Sequence, residues 1–454
     1  MRDKPQFNFM IDVLNGFCKF PPSEEAVQAR EAMPGIAARL RAKTTCADVA
    51  IFVKIEPRGV NGMALNESAL RTLAPDMTAW RRRLHRHPEL SFREYETSRM
   101  IADLLESWGL QVRRGVAGTG VVAVLRGAKP GRTIALRADI DALPIQDGKS
   151  CDYASAEAGV MHACGHDGHT AELLAVARYY SMLREETAGT RVFLFQPGEE
   201  VLPGGAVGMI REGALDGVDA VYGVHLWTPL RYGVVATRPG PMMASPDEFE
   251  IEIVGRGGHA GLPHQSADAL VAGSALVMAL QTVVSRSVDP LEAAVVTVGR
   301  MQAGTANNVI AERCLLSGTV RAFDEEVRQG VRRRLQRITE DLCRAYGTEH
   351  RLQYTEGYPP VVNDGNETAR FFRVAGELLS GEPGTEVQQC ERLMVGEDFS
   401  YYLRERPGCF FLVGAGRPDG SSPPHHHPLF DIDERAMMLA ARLLIAMADD
   451  AAAG

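Results

Sequence analysis

Between His162 and Thr170 the chain places one thiol, three imidazoles and a carboxylate in nine consecutive residues, His162-Ala163-Cys164-Gly165-His166-Asp167-Gly168-His169-Thr170. Thiolate and imidazole are the ligands that zinc and other borderline divalent metals prefer. Only Gly165 separates Cys164 from His166, so both can reach one ion from a turn, and His169 follows one helical turn later on the same face. A catalytic divalent site also needs an open position for water and a base beside that water. The adjacent carboxylates Glu199 and Glu200 follow an apolar run, so one can bind metal while the other takes a proton. His225 closes a second apolar run, Ala220 to Val224, and His425-His426-His427 stands in a loop rich in glycine and proline.

Two rival chemistries use the same residues. Cys164 beside a histidine also fits a thiol nucleophile, which needs a lowered pKa and an ordered base. The crowding of His162, His166, His169 and Asp167 exceeds that need, so the ligand reading is the stronger. Gly255-Arg256-Gly257-Gly258-His259-Ala260 matches a loose dinucleotide-binding pattern. The strand before it alternates as in an antiparallel sheet, and no parallel βαβ unit surrounds it.

Elements able to position these groups can be read from periodicity. Helices are expected over Met77 to His87, Glu94 to Trp108 and 167–184, and strands over Gly120 to Leu125, Thr133 to Leu136, Arg191 to Phe195 and Ala220 to Val224. Strands alternating with helices imply a largely parallel α/β sheet, whose sites lie at the carboxyl ends of the strands. Asp141, Glu199, Glu200 and His225 all fall there. Near residue 245 the grammar changes. Phe249, Ile251 and Ile253 alternate with Glu248, Glu250 and Glu252, and the order β-α-β-β-α-β that follows is ferredoxin-like. The domain reading is an extension over 1–62, a catalytic domain over 63–244 and 358–454, and an inserted small domain over 245–357.

Composition bounds the rest. The chain has 454 residues, 45% hydrophobic, too many for one compact core. A net charge of -9 argues against nucleic acid as the main partner. Its eight cysteines are scattered without a C-x-x-C pair, which suggests a reducing compartment. No apolar run is read as reaching membrane-spanning length, and the N-terminus lacks a signal-peptide pattern. The cytoplasm is the expected location.

Assembled in order, these motifs resemble the M20 metallopeptidase family, in its amidohydrolase branch of hippurate hydrolases, N-acyl-L-amino acid amidohydrolases and auxin-conjugate hydrolases. The resemblance runs from about Asn66 to the last helix and rests on Leu84-His85-Arg86-His87-Pro88-Glu89-Leu90, Arg137 to Pro144, Met161 to His169, Gln196 to Glu200, Gly258-His259-Ala260, Asn308-Val309-Ile310, Gly396 to Phe399 and His426-His427-Pro428. It implies an α/β catalytic domain with an inserted lid that also dimerises, giving a homodimer or homotetramer. A centre of one or two divalent ions (Zn, Mn, Co or Ni) is implied too, with Cys164, His166, Glu200, His225 and His426 as ligands. Glu199 would be the general base, deprotonating metal-bound water for attack on the amide. His259, Asn308 and Arg321 on the lid would contact the substrate carboxylate and the developing oxyanion, and His259 can act across the dimer. Asp141, Asp167, His169 and Asp398 would orient the ligands. The implied reaction is hydrolysis of N-acyl or N-aroyl amino acids, with a dipeptidase or carboxypeptidase as the nearest alternative. An NAD(P)-linked enzyme and a non-catalytic metal-binding protein are the alternatives outside the class.

Overall fold

The computed structural model describes residues 65–453, so the extension expected over 1–62 lies outside the described residues. After a short helix α1 (Glu67–Arg71), α2 (Ala74–Arg86) stops before Pro88, whose ring disfavours helical backbone in the residue preceding it. α3 (Tyr95–Ser107) precedes three strands, β1 (Gln111–Val116), β2 (Gly120–Arg126) and β3 (Lys129–Asp139). Then come α4 (His166–Met182), β4 (Ala188–Gln196), α5 (Gly205–Arg211), β5 (Ala220–Arg231), β6 (Val234–Thr237) and β7 (Gly240–Met243). The next stretch holds β8 (Ser245–Val254), β9 (Gly258–His259), α6 (Ala269–Ser287), β10 (Ala294–Ala303), β11 (Val309–Ile310), β12 (Arg313–Ala322), α7 (Glu325–Ala345) and β13 (Glu349–Thr355). The chain ends with β14 (Val361–Asn363), α8 (Gly365–Leu378), β15 (Glu386–Gln389), α9 (Ser400–Glu405), β16 (Gly408–Gly416) and α10 (Arg435–Ala453).

Eight strands form one mixed sheet in the order β1-β2-β4-β3-β5-β16-β6-β15. Its centre, β4-β3-β5-β16, is parallel, β1 and β2 join antiparallel at one side, and β6 joins β16 antiparallel while pairing in parallel with β15. Covered on both faces, the apolar strand β16 is buried at every residue. Leu173, Val176 and Tyr180 of α4 pack with Leu443 and Leu444 of α10 on one face, and Ala206, Met209 and Tyr402 cover the other. α4 is buried on nearly all sides, so His166, Asp167, His169, Thr170 and Glu172 lie inside the protein. The last strand in sequence, β16, lies between β5 and β6.

A second sheet, β10-β12-β8-β13, is antiparallel throughout and gives the ferredoxin-like arrangement. Phe249, Ile251 and Ile253 face its core while the intervening glutamates do not, as the alternation requires. Asp268 and Asp324 cap α6 and α7 by accepting the first free backbone N–H groups. Where the chain enters and leaves this unit, buried Asp247 accepts the N–H of Gly357 at 2.9 Å and Arg328 donates to the Gly357 carbonyl at 2.9 Å. One ion pair thus ties the two connections together.

Two expectations change. β5 does not end at Val224 but runs on to Arg231, because β16 keeps pairing with it through His225, Leu226 and Trp227. Its pairing with β3 stops at Gly223, so His225 projects just beyond the end of its neighbour even though its own strand continues. The second change concerns α6, whose 19 residues with mean hydropathy 1.5 do reach membrane-spanning length and composition. Its buried stripe of Ala269, Ala272, Leu276, Leu280 and Val283 is the inner face of a helix packed on the second sheet.

Candidate metal-dependent active site

The loop after β4, the turn before α4, the projecting part of β5, parts of β8 and β12 and the loop after β16 meet at one cavity of about 430 Å³. Cys164, Glu199, Glu200, His225, His425, His426 and Arg321 line it, beside Trp227, Met243, Tyr358, Met394 and Val395. Gly165, at φ +97°, turns the chain between Cys164 and the helix, a left-handed conformation that favours glycine. Cys164 Sγ lies 3.6 Å from His225 Nε2 and 3.7 Å from His425 Nδ1.

Five sets of ligand atoms cluster within 4.8 Å among the described residues. Three of them combine the thiol, imidazole and paired glutamates: Cys164, His166 and His225; Cys164, Glu200 and His426; and His166, Glu199 and Glu200. The other two are Asp139, His166 and His169, and Glu199, Glu397 and Asp398. His166 Nδ1 donates to the Asp141 carbonyl at 3.0 Å, leaving Nε2 buried without a hydrogen bond. That is how a ligating histidine is oriented. Glu200 Oε1 is likewise buried without a donor, 3.3 Å from His426 Nε2 and 3.9 Å from His166 Nε2. Burial pulls His166 toward neutrality, but Asp139, Asp141 and Glu200 outweigh it and raise its pKa to about 10. The same negative surroundings favour a cation at Nε2. Thiol, imidazole and carboxylate converge, two of their atoms lack partners, and the field favours positive charge, so the residues fit a divalent metal.

Carboxylates dominate the surroundings. Glu199 is 6% exposed. Burial, with the charges of Glu397, Glu200 and Asp398, holds its carboxyl well above the usual range. Burial likewise lifts Glu397 to about 8 and Asp398 to about 6, although Arg137 opposes both shifts. The buried Arg137 donates to Asp139 at 2.6 Å and Asp398 at 2.8 Å and lies 3.1 Å from Glu397. Its Nε donates to Gln196, whose amide donates on to Asp398.

Among the residues expected to orient ligands, Asp141 accepts the Glu200 N–H at 3.0 Å and the Ser91 hydroxyl at 2.7 Å. His169 has both ring nitrogens engaged, Nδ1 with Asp139 at 2.7 Å and Nε2 accepting the Leu226 N–H at 2.9 Å. It therefore has no lone pair left for a metal. Asp167 faces away, toward Arg81 and His85, and His162 is buried outside the three sets, with burial lowering its pKa to about 4.

Of the lid residues, Arg321 on β12 reaches the cavity. It makes no salt bridge among the described residues and touches only the carbonyls of Val320 and Asp247, at 3.1 and 3.5 Å. His259 and Asn308 do not line the cavity; both are exposed, at the small β9–β11 ladder. Sequence reasoning missed three groups. His425, the neighbour of the chosen histidine, stacks on Trp227 at 4.6 Å and faces Cys164. Asp139 sits 3.7 Å from His166 Nε2, and Tyr358 donates its hydroxyl to the Glu199 carbonyl. Asp139 could have been found from its place at the end of an apolar strand; Tyr358 carries no local signal.

Known proteins are similar to this chain over most of its length. An N-acyl-L-amino acid amidohydrolase of Geobacillus stearothermophilus is 49% identical over 74% of this chain and 92% of that protein. The N-acetyl-L-cysteine deacetylase of Bacillus subtilis (strain 168) is 41% identical over 84% of this chain and 89% of its own length. Among solved structures, the Bacillus subtilis YXEP protein, described as a dinuclear metal-binding peptidase from the M20 family, superposes with a TM-score of 0.71. It is 36% identical and the match covers 83% of this chain and 98% of that one. Residues 135–450 match the family profile itself, and the chain belongs to peptidase family M20/M25/M40.

Proposed function

We propose that this protein hydrolyses the amide bond of N-acyl or N-aroyl amino acids, hippurate-type compounds among them. The observation that carries the reading is one cavity that brings a metal-fitting donor set together with the buried Glu199 carboxylate and the Arg321 guanidinium, which makes no salt bridge among the described residues. Cys164, His166, Glu200, His225 and His426 would hold one or two divalent ions, drawn from Zn, Mn, Co or Ni. Bound there, such an ion supplies a Lewis acid for the amide oxygen and lowers the pKa of a water in its open position.

Glu199 takes the proton of the attacking water and passes it to the departing nitrogen. Burial and the neighbouring Glu397, Glu200 and Asp398 carboxylates strengthen its hold on that proton once taken. Arg321 receives the substrate carboxylate, and Trp227, Met243, Met394 and Val395 offer an apolar surface to the acyl group. Residues 245–357 act as the lid. Exposed Leu270, Val271 and Met278 on α6 suit a lid-to-lid homodimer or homotetramer, in which His259 and Asn308 would serve the neighbouring cavity.

The test is turnover of hippurate-type and N-acetylated amino acids by the metal-loaded protein, with Glu199→Gln alongside. The variant should lose roughly 10²–10⁴-fold in rate while its metal content stays near that of the wild type. An active Glu199→Gln enzyme would remove the proposed base, and turnover confined to unacylated dipeptides would move the assignment to a dipeptidase.

A further inference from the structure

The turn that delivers the proposed base is held by a residue from the other side of the sequence. Glu94 occupies the position just before α3, where a side chain normally accepts the first free N–H groups of its own helix, yet it makes no such bond. Glu89 does that work, accepting the N–H groups of Glu96 at 3.1 Å and Thr97 at 2.8 Å. The Glu94 side chain is fully buried and points instead at the loop after β4. Its Oε1 accepts the N–H of Gly198 and that of Phe92, each at 2.9 Å, and Oε2 accepts the Thr119 hydroxyl at 2.5 Å.

Phe92 stands at φ +61°, a left-handed backbone that is uncommon for a bulky residue. Its ring covers the Cα of Gly198, itself at φ +60°, so closely that a Cβ there would collide with it. Strain of this kind persists only where the surroundings impose it. On the far side of the turn the Tyr358 hydroxyl bonds the Glu199 carbonyl, and Asp141 accepts the Glu200 N–H. The peptide groups before Gly198 and after Glu199 are therefore held by side chains from other parts of the fold, and between them the Gly198 carbonyl accepts the Gly205 N–H at 3.2 Å.

We propose that Glu94, with Phe92 packed on Gly198, is a positioning residue that sets the backbone of the Gly198–Glu199 turn and so aims the Glu199 carboxylate. This rests on the reading of Glu199 as the base. Glu94 acts through an acceptor oxygen, so glutamine, which keeps one, restores most of what alanine removes.

The experiment is steady-state kinetics on a hippurate-type or N-acetylated amino acid, with metal analysis, for Glu94→Ala, Glu94→Gln, Phe92→Ala and Glu199→Gln in the full metal-loaded chain. Misaiming by a fraction of an ångström should lower kcat of Glu94→Ala by roughly 10–100-fold, with KM and metal content near wild type. Glu94→Gln should recover to within about 3-fold of wild type, and Phe92→Ala should show the same kcat-selective loss in smaller degree. Should Glu94→Ala not fold, Phe92→Ala and Glu94→Gln carry the test. Wild-type kcat in Phe92→Ala or in folded Glu94→Ala overturns the proposal. So does a Glu94→Gln enzyme as slow as Glu94→Ala, or a rate loss that merely follows metal loss. An inactive Glu199→Gln alongside any of these leaves the base in place and sinks only the positioning role; an active one sinks the base itself.

Discussion

Arg81 donates its Nε to Asp167 Oδ2 at 2.8 Å, with both side chains fully buried. The remaining nitrogens of the same guanidinium reach Asp431 at 2.6 Å and Glu434 at 3.2 Å. Asp167 adjoins His166, and Asp431 and Glu434 follow His426 in the loop leading to α10. One cation thus joins the segments that carry His166 and His426. Arg81→Ala strands a buried carboxylate, so unfolding free energy should fall by about 3–5 kcal/mol. Urea denaturation checks the size of the loss.

Asp141 holds both His166 and the Glu200 backbone. Replacing it with alanine should weaken metal binding by roughly 10–100-fold without removing a ligand. Competition with a chromogenic chelator measures this. Cys164→Ala should lose more, since it removes a donor atom outright, and full metal retention in that variant would exclude Cys164 from the ligand set.

Arg321 should matter to substrates that carry a carboxylate and little to those that do not. A charge-assisted pair is worth about 1.5–3 kcal/mol. Arg321→Ala should therefore raise KM for N-acyl amino acids by roughly 10–100-fold and leave the matching amides nearly unchanged. Equal effects on both would contradict the carboxylate role.

Glu172 is fully buried with neither carboxylate oxygen hydrogen-bonded, and burial, with Asp139 nearby, raises its pKa well above the ordinary value. The folded protein therefore favours its neutral form. That contribution is complete below the unfolded pKa of about 4.3 and is lost as pH rises toward the folded value, about 1.4 kcal/mol for each pH unit crossed. Glu172→Gln should gain stability over the wild type as pH rises from about 5 to 8. Thermal melts of both proteins across that range give the comparison, and a gap independent of pH would count against it.

Much of this was legible in the sequence because the signals were local. Cys164-Gly165-His166, the Glu199-Glu200 pair and the alternation from Glu248 to Ile253 each announce a turn, a strand end or a half-exposed strand. What escaped depended on distant partners. β1 is a polar edge strand, defined only by its pairing with β2. β6, β14 and β15 are too short to show a period. The length of β5 is set by β16, almost two hundred residues later in the chain. Glu94 and Tyr358 gain their meaning from backbone groups of residues 198 and 199, which no spacing in the sequence reveals.

The central place of β16 has a consequence for synthesis of the chain. Until Gly408–Gly416 leaves the ribosome, β5 presents a bare apolar edge and β6 has no partner on that side, even though the whole ferredoxin-like unit has already been made. An open edge of that kind is a template for intermolecular pairing. Nascent or C-terminally truncated chains that stop short of β16 should consequently depend on chaperones far more than the finished protein does.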